Sequence, residues 1–110
     1  MTTLDDQLRA RLNITDEQLA AFCQKWKIVE FALFGSVLTD EFRPDSDVDV
    51  MVTFADDALW SLFDIVGMED ELSAVLKRKV EFAEKSAVEK SRNKYRRASI
   101  LNSVRQIYAA

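Results

Sequence analysis

The chain has no histidine, one cysteine and two glycines among its 110 residues. Without histidine there is no Ser-His-Asp or Cys-His arrangement and no His-ligated zinc or haem. Any chemistry must therefore rest on carboxylates, hydroxyls and basic groups. The lone cysteine, Cys23, excludes an internal disulfide, and its neighbours Ala21, Phe22 and Trp26 place it on the inward face of a helix as a structural thiol. The glycine count and the lysine that a P-loop requires are both missing, which argues against a Walker-type ATPase. No apolar run approaches the ~20 residues that span a bilayer. Met1 to Ala10 also lacks the basic-then-apolar layout of a secretory signal. A soluble, cytoplasmic protein is the resulting expectation.

With 48% hydrophobic residues, the chain can bury one core, and a single domain over residues 1–110 is expected. Charge is divided unevenly along it. Up to Leu76 there are 5 basic and 16 acidic side chains, and beyond it 10 basic and 3 acidic, giving −11 and +7 within the overall −4. An acidic body suits hard cations, and a basic C-terminal part suits phosphates or an acidic partner; solvated faces alone would show the same split.

Thr15 and Gln18 have the spacing of a capping box, and Leu19, Phe22, Cys23 and Trp26 recur at helical intervals behind it. This predicts a helix to about Trp26, with a shorter, weakly specified one over Leu4 to Leu12. Ile28 to Phe34 and Val48 to Phe54 are rich in β-branched and aromatic residues and read as buried strands, with one or two helical turns at about Ser36 to Glu41. Asp56-Asp57 offers a helix start for Leu59 to Leu76, whose apolar face is read as Leu59, Leu62, Phe63, Val66, Leu72, Val75 and Leu76. Gly67 would bend that helix or admit another backbone. A third strand follows at Val80 to Ala83. The segment Lys94 to Ala110 is read as one helix packed through Tyr95, Ile100, Leu101, Val104, Ile107 and Tyr108. The expected fold class is α/β of the α+β type, with a small mixed sheet of about three strands flanked by helices.

The candidate chemistry lies between the first two strands, in Phe34 to Asp49. Residues two apart on a strand share a face, so Asp47 and Asp49 present paired carboxylates. An all-oxygen set of this kind suits Mg²⁺, or Mn²⁺. Glu81 alternates with apolar Val80 and Phe82 on the third strand, so three carboxylates can converge and hold two metals ~4 Å apart for an in-line phosphoryl displacement. Gly35 and Ser36, at a strand-to-helix junction, form a candidate phosphate seat. Each residue alone has an ordinary structural role too: Gly35 as a strand end, Ser36 as an N-cap, Asp45 and Asp47 in an Asx turn.

The spacing Gly35-Ser36, ten residues, Asp47, one residue, Asp49 resembles the GSx10DxD motif of the DNA polymerase beta-type nucleotidyltransferase superfamily. Within it, the run FGSVLTDEFRPDSDVDVMV is similar to the minimal nucleotidyltransferase (MntA-like) antitoxins, and the likeness extends from about Leu19 to the final segment. The resemblance implies a polymerase beta palm-like fold. It implies Asp47, Asp49 and Glu81 as catalytic metal ligands, and Gly35 and Ser36 as nucleotide contacts; Ser46 and Arg43, which lie inside the same stretch, are further candidates for nucleotide binding. Glu81 would take the place of a third acidic residue that is usually aspartate. The implied reaction is Mg²⁺-dependent transfer of AMP from ATP to a tyrosine of a partner HEPN-domain toxin, in a type VII toxin-antitoxin pair. The alternatives are a non-catalytic toxin-binding antitoxin or a small-molecule, aminoglycoside-type transferase. Nucleic acid is not expected as the direct substrate, nor a membrane as a partner. For Arg43, Arg78, Arg92, Arg96 and Arg97, triphosphate, partner and solvent roles stay open.

Overall fold

The computed structural model describes residues 2–110 apart from the side chains of Arg96 and Ser99. Helix α1 (Asp6–Leu12) starts where the Asp5 carboxylate accepts from the Leu8 N–H, and it ends at Asn13 in the left-handed region (φ 55°) that asparagine tolerates. Helix α2 (Asp16–Lys25) carries the predicted capping box: the Thr15 hydroxyl accepts from the Gln18 N–H and the Gln18 side chain accepts from the Thr15 N–H. A cap of this kind is worth ~1 kcal/mol. Cys23 is fully buried on the inward face of α2, and burial pushes its thiol up to about 12.

Strand β1 (Ile28–Phe34) pairs antiparallel with β2 (Val48–Phe54), and β2 pairs parallel with β3 (Val80–Glu84) across helix α3 (Leu62–Leu76). A short helix α4 (Lys85–Glu89) and helix α5 (Lys94–Ser103) follow, and then strand β4 (Arg105–Ala109) pairs antiparallel with β1. The sheet is mixed, as expected, with the order β3-β2-β1-β4 and thus four strands instead of three. The single C-terminal helix expected over Lys94 to Ala110 is accordingly corrected to a helix followed by a strand. β1 would otherwise leave a row of backbone groups unpaired on that side, and β4 satisfies them while burying Ile107 and Tyr108.

The sheet has two unlike faces. Phe31, Leu33, Val48, Val50, Val52 and Val80 join Leu8, Leu12, Leu19, Phe22, Met68, Leu72 and Leu76 in the main core beneath α1, α2 and α3. Fully burying an aliphatic side chain of this size stabilises the fold by ~1.5–3 kcal/mol. On the other face a smaller cluster, Ala32, Met51 and Val88, is flanked by Phe34, Ala83, Ile100 and Val104. The outward N–H groups of β3, an edge strand, are occupied by α3: Val80 donates to the Ser73 hydroxyl (3.0 Å) and Phe82 to the Glu69 carboxylate (2.9 Å). An edge covered in this way resists adventitious strand pairing.

Two expectations for α3 are overturned. Its cap is Ser61, in a reciprocal box with Asp64, and not Asp56-Asp57. Its buried stripe is Met68, Leu72 and Leu76 with Ile65 and Val75 partly buried, while Leu59, Leu62, Phe63 and Val66 are exposed. The N-terminal half of the helix offers two apolar stripes, and the one continuous with Leu72 and Leu76 at three- and four-residue spacing is the one buried. The helix also runs unbroken through Gly67, where an added Cβ would meet nothing within 4 Å. Gly67→Ala is therefore expected to raise stability by ~0.5–1 kcal/mol, read as a higher urea midpoint at unchanged slope. A lower midpoint would show a packing role for the glycine.

At the far end of the β1–β2 ladder, where Ile28 pairs with Phe54, lie the tryptophans. The Trp60 indole N–H donates to the Trp26 carbonyl (2.7 Å), and the two rings pack edge to face with centroids 5.3 Å apart. The Trp26 indole N–H donates to Glu71, which also pairs with Lys25, and the Lys25 ammonium holds the Glu71 carboxyl below its ordinary range. Among the described residues no helix is long and apolar enough to cross a membrane.

Candidate functional site

Strand register builds the centre of the site. Phe34 lies opposite Asp49 in the antiparallel ladder, and Asp49 lies beside Glu81 in the parallel one. Cross-strand neighbours point to one face, so Phe34, Asp49 and Glu81 share the face that α5 only partly covers. The register thus sets Asp49 and Glu81 side by side on that face. Asp47, one residue before β2 begins, is exposed.

Gly35 is required here. Its φ is +81°, and a Cβ at this position would stand 2.6 Å from Asp49 Oδ2. The backbone at the end of β1 thus runs against the Asp49 carboxylate at a distance that only glycine permits. The helix expected after it is one 3-10 turn, Gly35–Leu38, too short to act as a helix dipole. Ser36 is half-buried within this turn, and its carbonyl accepts from both the N–H and the hydroxyl of Thr39 (2.9 Å each). Its hydroxyl has no partner among the described residues, which leaves it available to an anion.

Ser46 and Arg43 close the turn that leads into Asp47. The Ser46 N–H donates to the Arg43 carbonyl and the Arg43 N–H donates to the Ser46 hydroxyl, both at 3.0 Å. The Ser46 hydroxyl thus shapes the loop, while the Arg43 side chain is exposed. Glu81 is half-exposed and pairs with Lys79 at 3.3 Å. Among the described residues no group of three or more Asp, Glu or Cys stands close enough to hold a metal ion. Asp49 and Glu81 are neighbours in the sheet register, and Asp47 precedes β2 by one residue. The donor chemistry and the glycine-lined approach to Asp49 still fit a hard cation.

The cleft over this centre, about 340 Å³, is lined by Phe34, Gly35, Asp49, Glu81, Phe82, Ala83 and Ile100. Ile100, from α5, is a wall that sequence reasoning missed, because an apolar residue on an amphipathic helix reads as core. Arg11 was missed as well, and Arg78, whose role the sequence left open, proves to bond backbone. Arg78 donates to the carbonyls of Arg43 (2.7 Å), Pro44 (2.9 Å) and Ser46 (3.3 Å). Arg11, on α1, donates to those of Val37 (2.8 Å) and Thr39 (2.7 Å). Arg78 is thereby removed from the free surface, and Arg97 donates at longer range to the carbonyls of Glu89 and Ser91. The side chain of Arg96 lies outside the described residues.

Comparison with known proteins bears on the fold that carries these residues. Over 65 residues the chain is 32% identical to the protein adenylyltransferase MntA of Thermococcus cleftensis, covering 59% of this chain and 64%, just under two thirds, of that relative's length. A toxin-antitoxin crystal structure with AMP-PNP superposes with a TM-score of 0.67 at 15% identity, over 88% of this chain and 75% of its own. A structure of the tri-AMPylated Shewanella oneidensis HEPN toxin in complex with MNT antitoxin does so at 0.61 and 15%, over 94% and 73%. At such identities these likenesses show the fold. The family model for the nucleotidyltransferase domain matches residues 15–107, nearly the whole sheet and its helices, and the chain belongs to that family.

Proposed function

We propose that the protein is a Mg²⁺-dependent adenylyltransferase that moves AMP from ATP to a tyrosine hydroxyl of a HEPN-domain toxin, and so acts as the antitoxin of a type VII pair. The observation that carries this reading is the close approach of Gly35 to Asp49 beside Glu81, a carboxylate pair at the mouth of a backbone seat. The names of the similar proteins, an adenylyltransferase and an AMPylated HEPN toxin with its antitoxin, support the choice of nucleotide and partner.

In this reading Asp47 and Asp49 hold the metal, which when bound supplies Lewis-acid stabilisation of charge on the phosphate oxygens. Glu81 either joins them or, released from Lys79, accepts the proton of the attacking hydroxyl. Backbone N–H groups after Gly35 and the Ser36 hydroxyl donate to phosphate oxygens and orient the triphosphate. Arg43 and Ser46 lie at the loop edge, where they would meet the nucleotide. The acceptor oxygen bonds to the α-phosphorus, the bond to the bridging oxygen of the β-phosphate breaks, and pyrophosphate leaves with its electron pair. Ile100 and Phe34 supply an apolar wall.

The test is transfer of label from α-labelled ATP, with Mg²⁺, to a purified HEPN toxin. Label on a toxin tyrosine is expected, and none on an aminoglycoside offered in its place. A toxin that is bound and silenced without labelling would replace this reading with the non-catalytic antitoxin.

A further inference from the structure

We infer that Arg11 and Arg78 are positioning residues that hold the two halves of the candidate site together through the loop joining them. This rests on the transferase reading above. Residues 39–47 have no helix or strand and are mostly exposed, yet the site needs Gly35-Ser36 at one end of this segment in fixed relation to Asp47 and Asp49 at the other. Within the loop there are only short turns, from Thr39 to Phe42 and from Arg43 to Ser46. Phe42 anchors those turns to the main core from within the loop, and the hydrogen bonds that tie them to the body come from elsewhere in the chain.

Arg11 reaches from α1 to the carbonyls of Val37 and Thr39, at the end of the turn that begins with Gly35. Arg78 reaches from the link after α3 to three carbonyls of the turn that ends at Ser46, just before Asp47. Both guanidinium groups also lie over the ring of Phe42, at 5.6 and 4.2 Å from its centroid, and Phe42 in turn packs on the main core. A planar guanidinium can lie over a ring while its Nη1 donates to carbonyls at the ring's edge, a geometry that the compact point charge of an ammonium reproduces poorly. Neither arginine is paired with a carboxylate among the described residues, and in each it is Nη1 that donates to backbone carbonyls. Each one fixes a different half. Arg11 sets the phosphate seat, and Arg78 sets the approach to the aspartates.

The two variants should differ in kind. Arg78→Ala is expected to lower kcat for nucleotide transfer by ~10–100-fold with the KM for ATP changed less than about threefold. Misplacing a reacting group by about an ångström has that scale of effect. Arg11→Ala is expected to raise the KM for ATP with a smaller effect on kcat. Arg78→Lys should recover little, whereas methylguanidinium added to Arg78→Ala should restore part of the lost rate. Hydrogen–deuterium exchange provides a readout that does not depend on activity. Faster exchange is expected at residues 43–47 in Arg78→Ala and at 37–42 in Arg11→Ala, with β1 and β2 protected as before. If the unaltered protein transfers no nucleotide, the transferase reading fails and the exchange data alone decide whether the arginines hold the loop. Unchanged exchange in both variants would overturn the inference. So would a loss of protection across the whole sheet, with kcat and KM affected alike in the two proteins.

Discussion

Asp49→Asn is expected to lower nucleotide transfer by a factor of ~10³ or more while the protein stays folded. Asparagine keeps the size and shape of the side chain, so the contact with the Gly35 backbone is retained in outline. The negative charge is lost at the point where Phe34, Asp49 and Glu81 meet across three strands. A thousandfold loss corresponds to ~4 kcal/mol of transition-state stabilisation, within the several kcal/mol that a metal centre contributes. Asp47→Asn should act in the same direction. The measurement is single-turnover transfer from α-labelled ATP, with far-ultraviolet circular dichroism as the check on folding. Activity above a tenth of the parent's, in a folded variant, would remove Asp49 from the reaction.

Gly35→Ala should be the second large effect, and its two consequences have different sizes. The positive φ alone costs an alanine ~1–2 kcal/mol, which for a chain of this size lowers Tm by roughly 5–10 °C. The steric conflict is sharper, since the new methyl would sit 2.6 Å from Asp49 Oδ2. The atom in the way is the end of a side chain, so the least costly relief is rotation of the Asp49 carboxylate away from its place. A modest fall in stability should therefore accompany a loss of transfer of at least ~100-fold, because a ligand turned away cannot hold its partner in line. If thermal melting and transfer kinetics show activity intact at lowered stability, the Asp49 orientation does not depend on Gly35.

The parts legible from sequence were those set by local periodicity. Alternation along Val80 to Ala83 was enough to set Glu81 on the face opposite Val80 and Phe82, with the parallel register then placing it beside Asp49, and the Thr15–Gln18 spacing was enough to start α2. The parts that were not legible depend on partners far along the chain. Arg105 to Ala109 carries apolar residues that also fit a helix, and only the open edge of β1 decides for a strand. On α3 the choice between two apolar stripes is made by the sheet beneath, which takes Met68 and leaves Phe63 outside. Arg78 looked like surface charge because its partners are carbonyl groups, and carbonyls leave no mark in a sequence.

The contact between Trp26 and Trp60 determines what the protein can report about itself. These are the only two tryptophans in the chain, and both sit at the Ile28–Phe54 end of the ladder. Six residues of strand separate that end from Phe34, a distance of ~20 Å. Intrinsic fluorescence will therefore follow the docking of α2 against α3, and the quenching of one indole by its neighbour, as the protein unfolds. Events at Asp49 lie beyond its reach, so a spectroscopic view of nucleotide arrival needs a fluorophore carried by the nucleotide or by the wall formed by Phe34 and Ile100.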